Sequence, residues 1–212
     1  METAATTRKV VVYGAPRCGK TSLMRRWSDN EFSANESPTI GVNIHIRNGA
    51  QVWDAAGEER FHDLVLTYLD GAHAVLFLYN IANRSSFDQL KSYWIPSVLK
   101  VASALDFYLV GTHLDLEADR REVPVEEAVA LAACYDMHYG ELSAKTGQSM
   151  DHLRLFIEHP TGNTKASASS PPSQELLVLD AFPKQKPGRF KIFLLRCCCC
   201  CCSFSPKYTE LQ

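Results

Sequence analysis

The 212-residue sequence has no run of about 20 consecutive apolar residues, the length a helix needs to cross a bilayer. It has no basic cluster in its first 160 residues. That stretch holds 15 Lys and Arg against 21 Asp and Glu, a balance of −6, which argues against a nucleic-acid partner. No secretory leader is expected, because Met1-Glu2-Thr3-Ala4-Ala5 carries no apolar core, and with Glu2 no N-myristoylation is expected either. It is also short of dispersed cysteine. Eight are present, but six form one block, Cys197–Cys202, leaving only Cys18 and Cys134 elsewhere. Adjacent thiols cannot staple a fold, so the count says nothing of an oxidising compartment. The expectation from these absences is a cytoplasmic, monomeric globular protein with room for one domain and a tail.

The chain changes character at Pro160. Residues 161–212 hold 7 basic against 3 acidic residues, a balance of +4, and open with a small, polar, proline-bearing stretch of linker composition. Further on, Lys184, Lys186, Arg189, Lys191 and Arg196 interleave with Phe190, Ile192, Phe193, Leu194 and Leu195 directly before the cysteine block. The expected division is a domain over 1–160 and a flexible basic, cysteine-rich tail over 161–212.

Within the domain, strand and helix patterns alternate. Lys9–Gly14 is a short apolar β-rich run ended by glycine, and Ala74–Tyr79 and Phe107–Gly111 are continuous apolar runs of the kind buried on both faces. Between and after them, helical patterns begin at Gly19, at a Ser85 cap with an acidic first turn, at Val125 and at Met150, and Met137–Leu142 reads as a last strand. One antiparallel hairpin interrupts the order: Val42–Arg47 alternates, Asn48-Gly49 supplies a type I′ turn, and Ala50–Trp53 returns. Such alternation predicts an α/β fold with a parallel sheet covered on both faces.

Gly14-Ala15-Pro16-Arg17-Cys18-Gly19-Lys20-Thr21 is a full match to G-x-x-x-x-G-K-[ST], placed between a strand and a helix. A loop of this length turns its backbone N–H groups around a polyphosphate and adds the positive end of the helix. Lys20 is then expected on the β- and γ-phosphates and the Thr21 hydroxyl on Mg²⁺. Asp54, at the end of a strand 33 residues after Thr21, begins D-x-x-G with Gly57; it can hold the metal through a water while the Gly57 N–H senses a γ-phosphate. Between them, Ser37-Pro38-Thr39 offers a second hydroxyl for the metal.

Taken together with Ile40–Ile44, Trp53–Gly57, Arg60-Phe61, Tyr68–Ala72 and Tyr79–Ile81, these stretches resemble the small GTPases of the Ras superfamily, and the Rab group within it, over about residues 8–159. The resemblance implies a P-loop G domain with a mostly parallel six-stranded sheet. It implies a Mg²⁺-dependent GTP/GDP switch that hydrolyses GTP, works in vesicle and membrane trafficking on the cytosolic face of an endomembrane, and meets an exchange factor, an activating protein and effectors at its switch regions. By the same resemblance Ser22 completes the phosphate loop, Phe32 is the aromatic set against guanine, and Thr39 closes switch I onto metal and γ-phosphate. Thr112, His113 and Asp115 form the base site, with Ser143, Ala144 and Lys145 as its second loop. Asp115 would accept from guanine N1–H and its 2-amino group, and would face an acceptor in adenine.

Departures from the family pattern shape further expectations. Glu58 stands where a water-orienting Gln is usual, and a carboxylate cannot donate to the transition state, so intrinsic hydrolysis should be slow. The alternatives are that Glu58 is simply a solvated switch residue, or that the chain is a GTP-binding scaffold with little turnover. Pro16 and Arg17 replace small residues. Thr112 is shared with the Rho group, whereas His113 loses a Lys stem and keeps a ring for stacking. Thr39 to Asp54 spans only 15 residues, clipping the hairpin. No CaaX box ends the chain, so Cys197, Cys198, Cys199, Cys200, Cys201 and Cys202 are candidates for S-acylation, against the reading of an unselected extension. Cys134 is expected in the core.

Overall fold

The computed structural model describes residues 8–102, 105–116 and 120–159. Six strands form one sheet: β1 (Arg8–Gly14), β2 (Val42–Arg47), β3 (Ala50–Ala55), β4 (Ala74–Asn80), β5 (Asp106–Thr112) and β6 (His138–Glu141). Their spatial order is β2-β3-β1-β4-β5-β6, and every pairing is parallel except β2 with β3. The β2–β3 connection is the expected hairpin, with Asn48 and Gly49 at φ 49° and 75°, the two positive values that a type I′ turn requires.

Alternation along the strands sends side chains into two cores. Val10 and Val12, Leu76 and Leu78, and Tyr108 and Val110 face one side, where helices α1 (Lys20–Ser28) and α6 (Met150–Glu158) cover them with Leu23, Met24, Trp27, Leu153, Phe156 and Ile157. Val11 and Tyr13, Val75 and Phe77, and Phe107 and Leu109 face the other. That side is covered by α2 (His62–Leu66), α3 (Arg84–Gln89), α4 (Ile95–Val101) and α5 (Val125–Cys134). The chain runs from β1 outward to β3 and then crosses back to β4 on the other side of β1. The loop after β1 thus lies at the point where strand order reverses, the usual crevice for ligands in an open parallel sheet.

Some expected local features differ. The helix after β4 is capped by Asn83, whose Oδ1 accepts from Ser86 N at 3.3 Å, and not by Ser85, and its first turn holds no acidic residue. The helical run is also longer and irregular, with a π-turn over Leu90–Trp94 between α3 and α4. Pro96 opens α4 without an N–H to donate backward, which displaces the bonding pattern just ahead of it. The π-turn brings the buried Trp94 onto Tyr13 in a stack with 5.3 Å between ring centroids. Cys134 lies exposed at the end of α5 and is not a core residue. The tail expected over 161–212, with Cys197–Cys202, lies outside the described residues.

Candidate nucleotide-binding site

Gly14 ends β1 and Lys20 opens α1, so residues 15–19 form the connecting loop. Ala15 and Cys18 turn inward and are buried, Pro16 and Arg17 are exposed, and Arg17 takes φ 61°. The first helical bond runs from Leu23 N to Gly19 O at 2.9 Å, so the N–H groups of Lys20, Thr21 and Ser22 point out of the helix start. Lys20 is buried, and its Nζ donates to Gly14 O at 3.0 Å and Ala15 O at 2.9 Å, spanning the mouth of the loop.

Three distant segments meet beside it. Thr21 Oγ1 donates to Asp54 Oδ2 at 2.6 Å and lies 2.9 Å from Thr39 Oγ1. Asp54 is fully buried, and its Oδ1 has no hydrogen-bond partner. Burial pushes the Asp54 carboxyl above its usual range, while the Thr21 hydrogen bond and the Lys20 charge pull it back. Two hydroxyls and an under-bonded carboxylate form a hard oxygen set that fits Mg²⁺. Gly57 lies directly against the phosphate loop: a Cβ there would stand 2.5 Å from Lys20 Nζ, 2.6 Å from Gly14 O and 2.9 Å from Ala15 C. Only glycine permits that approach.

The second half of the site lies at the ends of β5 and β6. The Thr112 hydroxyl is 2.7 Å from Cys18 O and 2.9 Å from Tyr79 O; with one proton it serves the nearer carbonyl best, tying β5 to the phosphate loop. His113, at φ 65°, places Nδ1 2.9 Å from Thr112 Oγ1 and its ring edge against Gly19, where an added Cβ would meet Cε1 at 3.2 Å. The ring expected to stack on a base is thus engaged by the phosphate loop, and burial pushes its basicity down. Asp115 has a side chain only 15% exposed, accepts from Ser143 Oγ at 2.7 Å and lies 3.7 Å from Lys145 Nζ. Ala144 and Lys145 are held through their carbonyls, by Arg26 Nε at 2.7 Å and Nη2 at 3.0 Å.

The structure therefore gathers Gly14–Ser22, Thr39, Asp54 and Gly57 into one half of the site, and Thr112–Asp115 with Ser143–Lys145 into the other. Residues 9–158 match the Ras family. The chain belongs to the Ras family. It is 36% identical over 152 residues to Ras-related protein Rab-1 of Theileria parva, covering 68% of this chain and 69% of that protein. Against Ras-related protein RABE1e of Arabidopsis thaliana it is 33% identical over 158 residues, covering 70% and 72%. Against Ras-related protein Rab-13 of Rattus norvegicus it is 31% identical over 186 residues, covering 81% and 91%. Within the Ras family it is a small GTPase, an enzyme of GTP hydrolysis, of the Rab branch.

Two expected members of this GTPase's site stand apart from the rest. Phe32 is exposed in the segment after α1. Glu58 pairs with Arg60 Nε at 2.6 Å, and the Arg60 guanidinium lies over the Phe61 ring at 4.7 Å. Arg26 and Tyr13 belong to the site without belonging to any motif. The Tyr13 hydroxyl donates to Val65 O at 2.8 Å, fastening α2 to the strand that leads into the phosphate loop. For Arg26 no spacing in the sequence marks the role; the partners lie 118 and 119 residues away.

Proposed function

We propose that this chain is a Rab-like molecular switch that binds GTP and GDP with Mg²⁺ and acts in intracellular membrane trafficking on the cytosolic face of an endomembrane. The convergence of Thr21, Thr39 and Asp54 carries this reading, because it joins phosphate loop, switch I and switch II at one oxygen cluster. Gly14–Ser22 bind the phosphates through loop amides and the Lys20 ammonium. Thr21, Thr39 and, through a water, Asp54 would hold Mg²⁺, which would supply neutralisation of charge on the phosphate oxygens. Asp115 reads the guanine edge, positioned by Ser143, with Ala144 and Lys145 completing the base loop. Gly57 against Lys20 couples switch II to the phosphates.

Hydrolysis by this chain alone is slow. Glu58 is paired with Arg60 and, as a carboxylate, lacks the N–H that would stabilise the transferring phosphoryl group. An activating protein, an exchange factor and effectors engage the switch surface. Ile40 and Ile46 stand 79% and 67% exposed there, on the approach to β2 and on its outer face. The basic tail anchors the chain through acylated thiols in the Cys197–Cys202 block. Nucleotide extracted from the purified 212-residue chain tests the reading. Guanine nucleotide should be recovered, and preloaded GTP should turn over to GDP slowly in a single-turnover assay; absence of both would reject it.

A further inference from the structure

Beneath the two base-site loops lies a polar group that belongs to no motif. Glu141, the last residue of β6, has a side chain only 10% exposed. Its carboxylate accepts from Arg121 Nη1 at 2.9 Å and Nη2 at 2.6 Å, from the Tyr139 hydroxyl at 2.6 Å and from the Tyr79 hydroxyl at 3.4 Å. Arg121 is 17% exposed and its Nη1 also donates to Val123 O at 3.1 Å. Gly111 lets the cluster close on β5, since a Cβ there would stand 2.9 Å from both Glu141 Cγ and the Tyr79 hydroxyl. Burial opposes the charged form of Glu141, but the bonds from Arg121 and Tyr139 outweigh it and hold the carboxyl below its usual range. A two-pronged guanidinium–carboxylate contact at this depth fixes both partners in direction as well as distance.

Its position in the chain gives the pair a function. Arg121 lies six residues after Asp115, and Glu141 two residues before Ser143. The stretch after β5 is therefore joined twice to the end of β6 and the loop that follows it, once by Ser143 Oγ on Asp115 Oδ1 at 2.7 Å and once by Arg121 on Glu141. We propose that Arg121 and Glu141 are positioning residues for guanine recognition: by fastening the two stretches they aim the Asp115 carboxylate and so set base preference and nucleotide residence. Both act through Asp115 and Ser143. The inference rests on Asp115 being the residue that reads the base.

The test uses the full 212-residue chain with Mg²⁺. Release of fluorescent GDP is measured together with equilibrium affinity for GDP and for inosine diphosphate, which lacks the 2-amino group. The proteins are wild type, Arg121→Met, Glu141→Gln, the double variant and Arg121→Lys. Wild type should prefer GDP. Each of the first two variants should release GDP about tenfold faster and lose most of that preference. The double variant should be no worse than either single one, because the two side chains act as a unit. Arg121→Lys keeps the charge without the fork and should fall between, and it carries the test should the methionine variant not fold. Equal weakening of both nucleotides, with the preference intact, would show a merely structural role and overturn the inference, as would unchanged release. Failure of the wild type to prefer GDP would instead overturn the reading of Asp115.

Discussion

Gly57→Ala adds one methyl group at the contact between switch II and the phosphate loop. Of the three atoms that methyl meets, Lys20 Nζ can swing aside, but Gly14 O at 2.6 Å and Ala15 C at 2.9 Å are backbone. The switch II backbone must therefore retreat by about 0.8 Å, the gap between 2.6 Å and the 3.4 Å at which ordinary contact begins. Overpacking of this kind costs about 1–3 kcal/mol, roughly a 5- to 150-fold shift in an equilibrium. The cost falls only on the arrangement in which Gly57 touches the loop, because the residue contributes nothing to either core. If a γ-phosphate stabilises that arrangement, the variant loses affinity for a non-hydrolysable GTP analogue by such a factor. Its GDP affinity should change by less than about threefold. Dissociation constants for both ligands with Mg²⁺ present provide the assay, with thermal melting as a check on folding. Equal losses for the two nucleotides, or none for either, would show that Gly57 does not couple switch II to the γ-phosphate.

Other expected outcomes are independent of that one. Glu58→Gln should raise single-turnover hydrolysis by about ten- to a hundredfold, by restoring a neutral donor beside the phosphoryl oxygens. It should leave the melting temperature nearly unchanged, since the Glu58–Arg60 pair is exposed and such pairs contribute about 0–1 kcal/mol. Asp54→Asn keeps an acceptor for Thr21 but removes a buried charge. With Mg²⁺ chelated the variant should melt no lower than wild type, and its gain in stability on adding Mg²⁺ and GDP should be smaller by about 1–2 kcal/mol; an equal gain would remove Asp54 from the metal site. Replacing Cys197–Cys202 by Ser should release the chain from membranes, as fractionation would show. Membrane retention that survives the replacement would dispose of the acylated anchor.

Much of the architecture is legible in residue order because the governing interactions are local. The division of Val10–Tyr13 and Ala74–Tyr79 between the two cores follows from strand geometry, and Asn48-Gly49 names its own turn. The phosphate loop is equally local: its glycines, Lys20 and Thr21 lie within eight residues of one another. The order of the motifs offers Thr39 as a second hydroxyl beside Thr21 and Asp54, and family spacing singles it out, because that spacing encodes a tertiary contact that composition does not. Contacts made across the sheet left no trace in order or period. Arg26 reaches the Ala144 and Lys145 carbonyls, Arg121 reaches Glu141, and His113 turns onto Gly19 because Thr112 holds its Nδ1. The misplaced cap illustrates local competition: Ser85 and Asn83 are both good cap residues, and Asn83 prevails with its Oδ1 on Ser86 N while the Ser86 hydroxyl donates to the Asn83 carbonyl at 2.7 Å. Cys134 reads as core from its apolar neighbours, but it falls on the outer side of α5, away from the buried Ala128 and Ala132.

Guanine recognition is tested most directly by a competition titration of GDP, GTP, ADP and ATP against the 212-residue chain with Mg²⁺. With Asp115 aimed by Ser143, adenine would leave its carboxylate facing an acceptor, so guanine nucleotides should bind at least about a thousandfold more tightly. Comparable affinity for adenine nucleotides, or loss of binding to all four, would contradict it.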